Sequence, residues 1–143
     1  MNFSNLKNTA RPLFCLFAIC FLLVACGESD DPDDTGDALH EGEHGLVLEA
    51  HLDPDPPQSG AAEMTLILTV DGEPLEGAQV SVEPWMPGHG HGSNTDAVVV
   101  DEGEGIYRVD DLSFSMAGLW EIRVDVAWDD LETQVVWEVD VDG

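Results

Sequence analysis

The sequence predicts an all-β domain, an immunoglobulin-like antiparallel sandwich of about seven strands. Three observations carry that prediction. Apolar and polar residues alternate in seven separate stretches between Leu46 and Val141, the period of half-buried strands. No stretch of helical length repeats its apolar residues every 3.6 positions. Short segments containing Gly, Pro and Asp separate the stretches, and these residues supply the backbone angles of tight turns.

The strands follow in order. "LVLEAHL" places Leu46, Leu48, Ala50 and Leu52 on one face, and "EMTLILTV" does the same with Met64, Leu66, Leu68 and Val70. "DGEPLEGA" is the turn into "AQVSVEP", whose inward set is Ala78, Val80 and Val82. "DAVVVD" and "GIYRVDDLSF" come next, with Tyr107 where a tyrosine corner is expected. "LWEIRVDVAW" aligns Trp120, Ile122, Val124, Val126 and Trp128, which are read as core. "TQVVWEVDV" aligns Thr133, Val135, Trp137, Val139 and Val141. About 97 residues build one core and no second domain.

The chain upstream has a different character. Residues 1–25 read as a lipoprotein signal peptide. Lys7 and Arg11 precede an apolar run from Leu13 to Val24 that closes in "LLVAC" and is too short for a comfortable membrane span. Leu-x-Ala-Cys in that place has the form of a lipobox, which predicts cleavage before Cys26 and lipidation of Cys26. The mature protein is then expected in the cell envelope, lipid-anchored to the membrane and facing the periplasm. Gly27, where an aspartate would resemble a retention signal, favours the outer membrane. Residues 26–45 are acidic and nearly free of large apolar groups, so they are expected to form a disordered tether. Fully extended, it reaches about 60 Å. The folded domain is expected over residues 46–143.

Composition then narrows the chemistry. The 143 residues carry a formal charge of −26. Cleavage removes Cys15 and Cys20 and lipidation occupies Cys26, which excludes disulfides, thiolate zinc and cysteine nucleophiles. Arg108 and Arg123 are the only strong bases left against 30 acidic residues. Such a surface attracts cations and repels nucleic acid. No Gly-x-Ser-x-Gly elbow and no Gly-rich phosphate loop is present, so no enzyme is expected.

Connectivity points to a site. If each strand crosses the sandwich once, "WMPGHGHGSN" and "SMAG" fall at the same end. Met86, His89, His91 and Met116 then form a thioether–imidazole cluster. Thioethers select Cu(I), and imidazole serves copper in either oxidation state. Gly90 lets the two histidines turn toward one point, and Pro87 stiffens the approach from Met86. The set suits structural zinc poorly, and a blue-copper site lacks its cysteine. His51, closing the first strand, is expected to point to the same end. Trp85 is expected either to lie over a cuprous ion or to cap the core. His40 and His44 are a separate candidate, a weak Cu(II) or Zn(II) site in the tether.

"MPGHGHG", "GIYRV" and "FSMAGLWEIRVDV", in that order, resemble the YtkA-like domain family, which is related to FixH. The resemblance covers about residues 46–141, with the strongest motif order over 78–127. It implies an exported or membrane-anchored immunoglobulin-like domain associated with copper handling and respiratory-oxidase maturation. Position by position, it carries the metal site onto Met86, His89, His91 and Met116. The chain departs from FixH in lacking a retained transmembrane helix. The expected function is copper binding in the envelope, for sequestration or for delivery to a cuproenzyme or copper-chaperone partner. The alternative is a non-catalytic interaction or structural module, in which the histidines are dispensable and Trp85 matters.

Overall fold

The computed structural model describes residues 38–143. The expected signal peptide, Cys26 and residues 26–37 of the expected tether lie outside the described residues. Ten strands occur among the described residues: β1 (Ala38–Glu41), β2 (Leu46–Asp53), β3 (Gly60–Val70), β4 (Glu73–Pro74), β5 (Gln79–Met86), β6 (His91–Gly92), β7 (Val98–Gly103), β8 (Ile106–Phe114), β9 (Gly118–Trp128) and β10 (Leu131–Val141). One sheet runs β1-β2-β3-β8-β7, with β4 added to β3, and the other runs β10-β9-β5-β6. All pairings within both sheets are antiparallel. The seven expected strands are present. β1, β4 and β6 are additions of four residues or fewer.

Alternation in sequence becomes alternation in burial. Along β10, Thr133, Val135, Trp137, Val139 and Val141 are buried while Glu132, Gln134, Val136, Glu138 and Asp140 face solvent. Leu48, Leu66, Leu68 and Val109 of the first sheet share one core with Trp120, Ile122 and Val124 of the second. Each such aliphatic side chain contributes about 1.5–3 kcal/mol by leaving water. Trp120 and Trp137 are core as expected, and Trp128 is half-buried against it.

Residues 38–45 are not a tether. β1 pairs with β2 from Ala38↔Ala50 to Glu41↔Val47, and a 3-10 turn (Glu43–Gly45) leads into β2. His40 stacks on Trp137, ring centroids 4.3 Å apart, so the segment spans from one sheet to the other. Composition missed it because the strand rests on backbone pairing and one aromatic stack rather than on apolar content.

One end of the sandwich is tightly tied. The Tyr107 hydroxyl donates to Leu75 O and accepts from Ala78 N, each at 2.9 Å. Burial pushes the Tyr107 phenol above its ordinary pKa. Gly105 has φ +77°, and a β-carbon there would lie 2.5 Å from Leu68 O. The other end carries the loops of interest. Gly60 pairs with Phe114 and Val141 with Gly118, so the loops after β2, β5 and β8 gather there, as the strand parity predicted.

Candidate metal centre

β5 ends in a tight hairpin. Met86 O accepts from Gly90 N at 2.8 Å and from His89 N at 3.2 Å, and Gly90 completes the turn at φ +70°. His91 therefore returns directly opposite Met86 in the β5–β6 ladder. Directly opposite residues point to the same face, with β-carbons about 4.5–5.5 Å apart. Met86 is buried, His91 half-buried, and His89 exposed at the tip. The His89 and His91 ring centroids are 5.7 Å apart.

The tautomer of His91 follows from its neighbour. His91 Nδ1 lies 2.9 Å from Gly92 O. A carbonyl oxygen can only accept, so Nδ1 is the donor, and in the neutral ring the lone pair falls to Nε2. A backbone bond at one ring nitrogen that orients the other is how proteins prepare metal-binding imidazoles.

Trp120 connects this hairpin to the β8–β9 loop. Its indole Nε1 donates to Met116 O at 3.0 Å, while its ring meets His91 edge-on at 5.9 Å. Phe114 packs against the same ring at 5.5 Å. Met116 is 38% exposed. Gly118 touches Met86, because a β-carbon at Gly118 would stand 2.9 Å from the Met86 methyl. Met86, His91 and the Met116 loop thus converge around Trp120, with His89 beside His91. Among the described residues, no three His, Cys, Asp or Glu side chains group as a metal site. The side chains the rim offers a metal are two imidazoles and two thioethers.

The accessory expectations fare differently. Trp85 sits on the outer face of the second sheet, because neighbouring strand residues point to opposite sides and Met86 points inward. The Arg123 guanidinium lies over its ring at 4.8 Å, so Trp85 neither covers the ligands nor caps the core. His51 also faces outward, 2.9 Å from Glu49 Oε1, on the surface of the first sheet rather than at the rim. His40 and His44 are not brought together. His40 stacks on Trp137 and His44 meets Trp128 edge-on at 6.3 Å. Those tryptophans stand six rungs apart in the β9–β10 ladder, about 20 Å along the strands.

Three further residues shape the rim: Trp120, expected only as core, Gly118 and Gly92. Their signal was present in part, since Met116, Gly118 and Trp120 recur every second position.

The YtkA-like family profile matches residues 46–125, more than half of the chain, and that span holds every ligand candidate at the rim. The chain belongs to the YtkA-like family. Among solved structures, it is similar to a DUF4426 family protein from Pseudomonas aeruginosa. That pair shares 12% identity over 75% of this chain and 95% of the other, with a TM-score of 0.56. It is also similar to a copper-bound variant of FetP from uropathogenic Escherichia coli, at 9% identity over 76% of this chain and 92% of that one, TM-score 0.54. Likeness at such identities is likeness of fold. No curated protein matches the chain.

Proposed function

We propose that this YtkA-like domain binds copper at Met86, His89, His91 and Met116. The observation that carries the reading is the hairpin itself. It sets Met86 opposite His91 and fixes the His91 tautomer so that Nε2 is the bare nitrogen. The donor set fits the metal: two thioethers with two imidazoles prefer Cu(I) over harder cations. The copper-bound FetP variant, which shares the fold, supports the same choice.

The roles divide by burial. Met86 and His91 are the inner pair, held by the ladder and by Trp120. His89 and Met116 are the outer pair, exposed enough to exchange a ligand with an acceptor. Copper bound there supplies a soft, ligand-exchangeable cation. The chain's own residues orient the donors and limit water on the inner side. The reading extends to a non-catalytic, lipid-anchored envelope protein, attached through Cys26 and facing the periplasm. It keeps copper out of solution or passes it to a cuproenzyme such as a respiratory oxidase.

A competitive Cu(I) titration tests the binding claim, run beside a Met86/His89/His91/Met116→Ala variant shown to be folded. The expected result is one-to-one binding that weakens by at least about 100-fold in the variant, the scale of losing several ligands. Equal, weak binding by both proteins would remove copper from the account.

A further inference from the structure

β5 is bonded on both of its edges only near its ends. Ala78 N donates to the Tyr107 hydroxyl, Pro84 O accepts from Ser93 N at 3.1 Å, and Met86 O accepts from Gly90 N. In a strand, the N–H and C=O of one residue point to the same side, and successive residues alternate. These contacts therefore identify the even-numbered residues of β5 as the ones that face away from β9. Pro84 obeys the same logic, since a proline is tolerated where the strand edge is not donating to a ladder. Val80 and Val82 lie between the bonded ends. Among the described residues, no backbone group pairs with their outward N–H and C=O.

One cleft adjoins this open edge, and a second lies behind it on the outer face of the sheet. The first, of about 420 Å³, is lined by residues including Glu83, Ser93, Asp96 and Asp125. The second, of about 300 Å³, crosses β5, β9 and β10 and is lined by residues including Gln79, Asp125 and Glu132. No lysine or arginine lines either cleft. Glu83 shares Arg123 with Glu121, at 3.9 and 2.6 Å respectively, and Asp125 accepts from the neutral Gln134 amide. The edge keeps a net negative charge.

We propose that the open edge of β5 binds an extended, lysine- or arginine-bearing segment of a partner protein, which adds to the sheet as a strand below β6. Main-chain bonds to Val80 and Val82 supply the pairing, as in other strand additions. Glu83, on β5 itself, and Asp96, on the chain beside the open edge, select the charge. They also argue against a second copy of this chain, which would set the same carboxylates against each other. Gly92 and Ser93 line the larger cleft, so the docked segment runs up to the hairpin that holds His91. The proposal does not depend on the metal, and its test uses metal-free protein.

The ¹⁵N-labelled chain is titrated with acetyl-Lys-Val-Lys-Val-Lys-amide and with the same peptide N-methylated at every residue. Methylation keeps the charges and removes the backbone N–H of each of the five residues. The expected result is movement of the Val80 and Val82 amide resonances, slowed hydrogen exchange at both, and at least about tenfold weaker binding of the methylated peptide. A Glu-Val-Glu-Val-Glu peptide is expected not to bind at the same concentration. Val82→Pro removes the edge donor as Pro84 already does, and is expected to weaken binding by a similar factor. Should that variant fail to fold, the methylated peptide decides alone. Equal binding of the two basic peptides, resonance changes that bypass Val80 and Val82, or binding of the acidic peptide would each overturn the proposal.

Discussion

The two ends of the sandwich are built on opposite plans. At one end, Tyr107 clips the turn at Leu75 and Ala78, Gly77 N and Gly103 N both bind the Asp101 carboxylate, and Glu104 N binds Glu76. Side chains satisfy the turns, and the chain has little freedom. At the other end, the hairpin from Met86 to His91 is held by its own backbone bonds and by Trp120 beneath it, while His89 and Met116 stay exposed. The closed end supplies stability, and the open end keeps donors available. Substitutions at the two ends should therefore separate folding from the proposed copper binding.

The largest expected effect breaks the closed end. Gly105→Ala places a methyl 2.5 Å from Leu68 O at a φ of +77°. The position combines an unfavourable left-handed conformation with a backbone clash, so the loss should reach about 3 kcal/mol or more. Urea unfolding measures it. Cu(I) affinity of the fraction that remains folded should be unchanged, and a parallel loss of affinity would mean that the ends are coupled.

A smaller effect tests the link at the open end. Trp120→Phe keeps an aromatic ring in the core but deletes the indole donor to Met116 O. Stability should fall by about 1–3 kcal/mol, from lost volume and an unpaired carbonyl. Cu(I) affinity should fall about tenfold, the usual cost of losing a group that orients a ligand. Competition titrations at saturating folded protein separate the two effects.

The smallest effect concerns His40, the strap between the sheets. Burial pushes its imidazole below the ordinary value, and its Nε2 is buried without a partner among the described residues. The unfolded chain therefore takes up a proton more readily than the folded one. His40's contribution is full above the unfolded pKa near 6.5 and declines as pH falls through that value toward the lower folded one. His40→Leu should flatten this part of the stability–pH curve, read from urea midpoints between pH 8 and pH 5. An unchanged slope would show that His40 is solvated.

Much of this was legible in the sequence, for a physical reason. Seven strands could be read because each buries one face and must alternate. The same parity already placed Trp85 and His51 outside: Trp85 is in phase with Ser81 and Glu83, and His51 with Glu49. Expecting either at the rim set aside the phase of its own strand. β1 was hidden because its stability comes from β2 backbone groups and the Trp137 ring, which composition does not record. The His91 tautomer and the indole bond to Met116 were also illegible. Both depend on contacts made only after the hairpin closes and the sheets meet.

Copper K-edge X-ray absorption on the Cu(I)-loaded protein tests the central claim most directly, because it identifies the donor atoms. The account predicts both sulfur and imidazole scattering, with the sulfur contribution lost in a folded Met86→Leu/Met116→Leu variant and the imidazole retained. Nitrogen and oxygen scattering alone, the same in protein and variant, would contradict it.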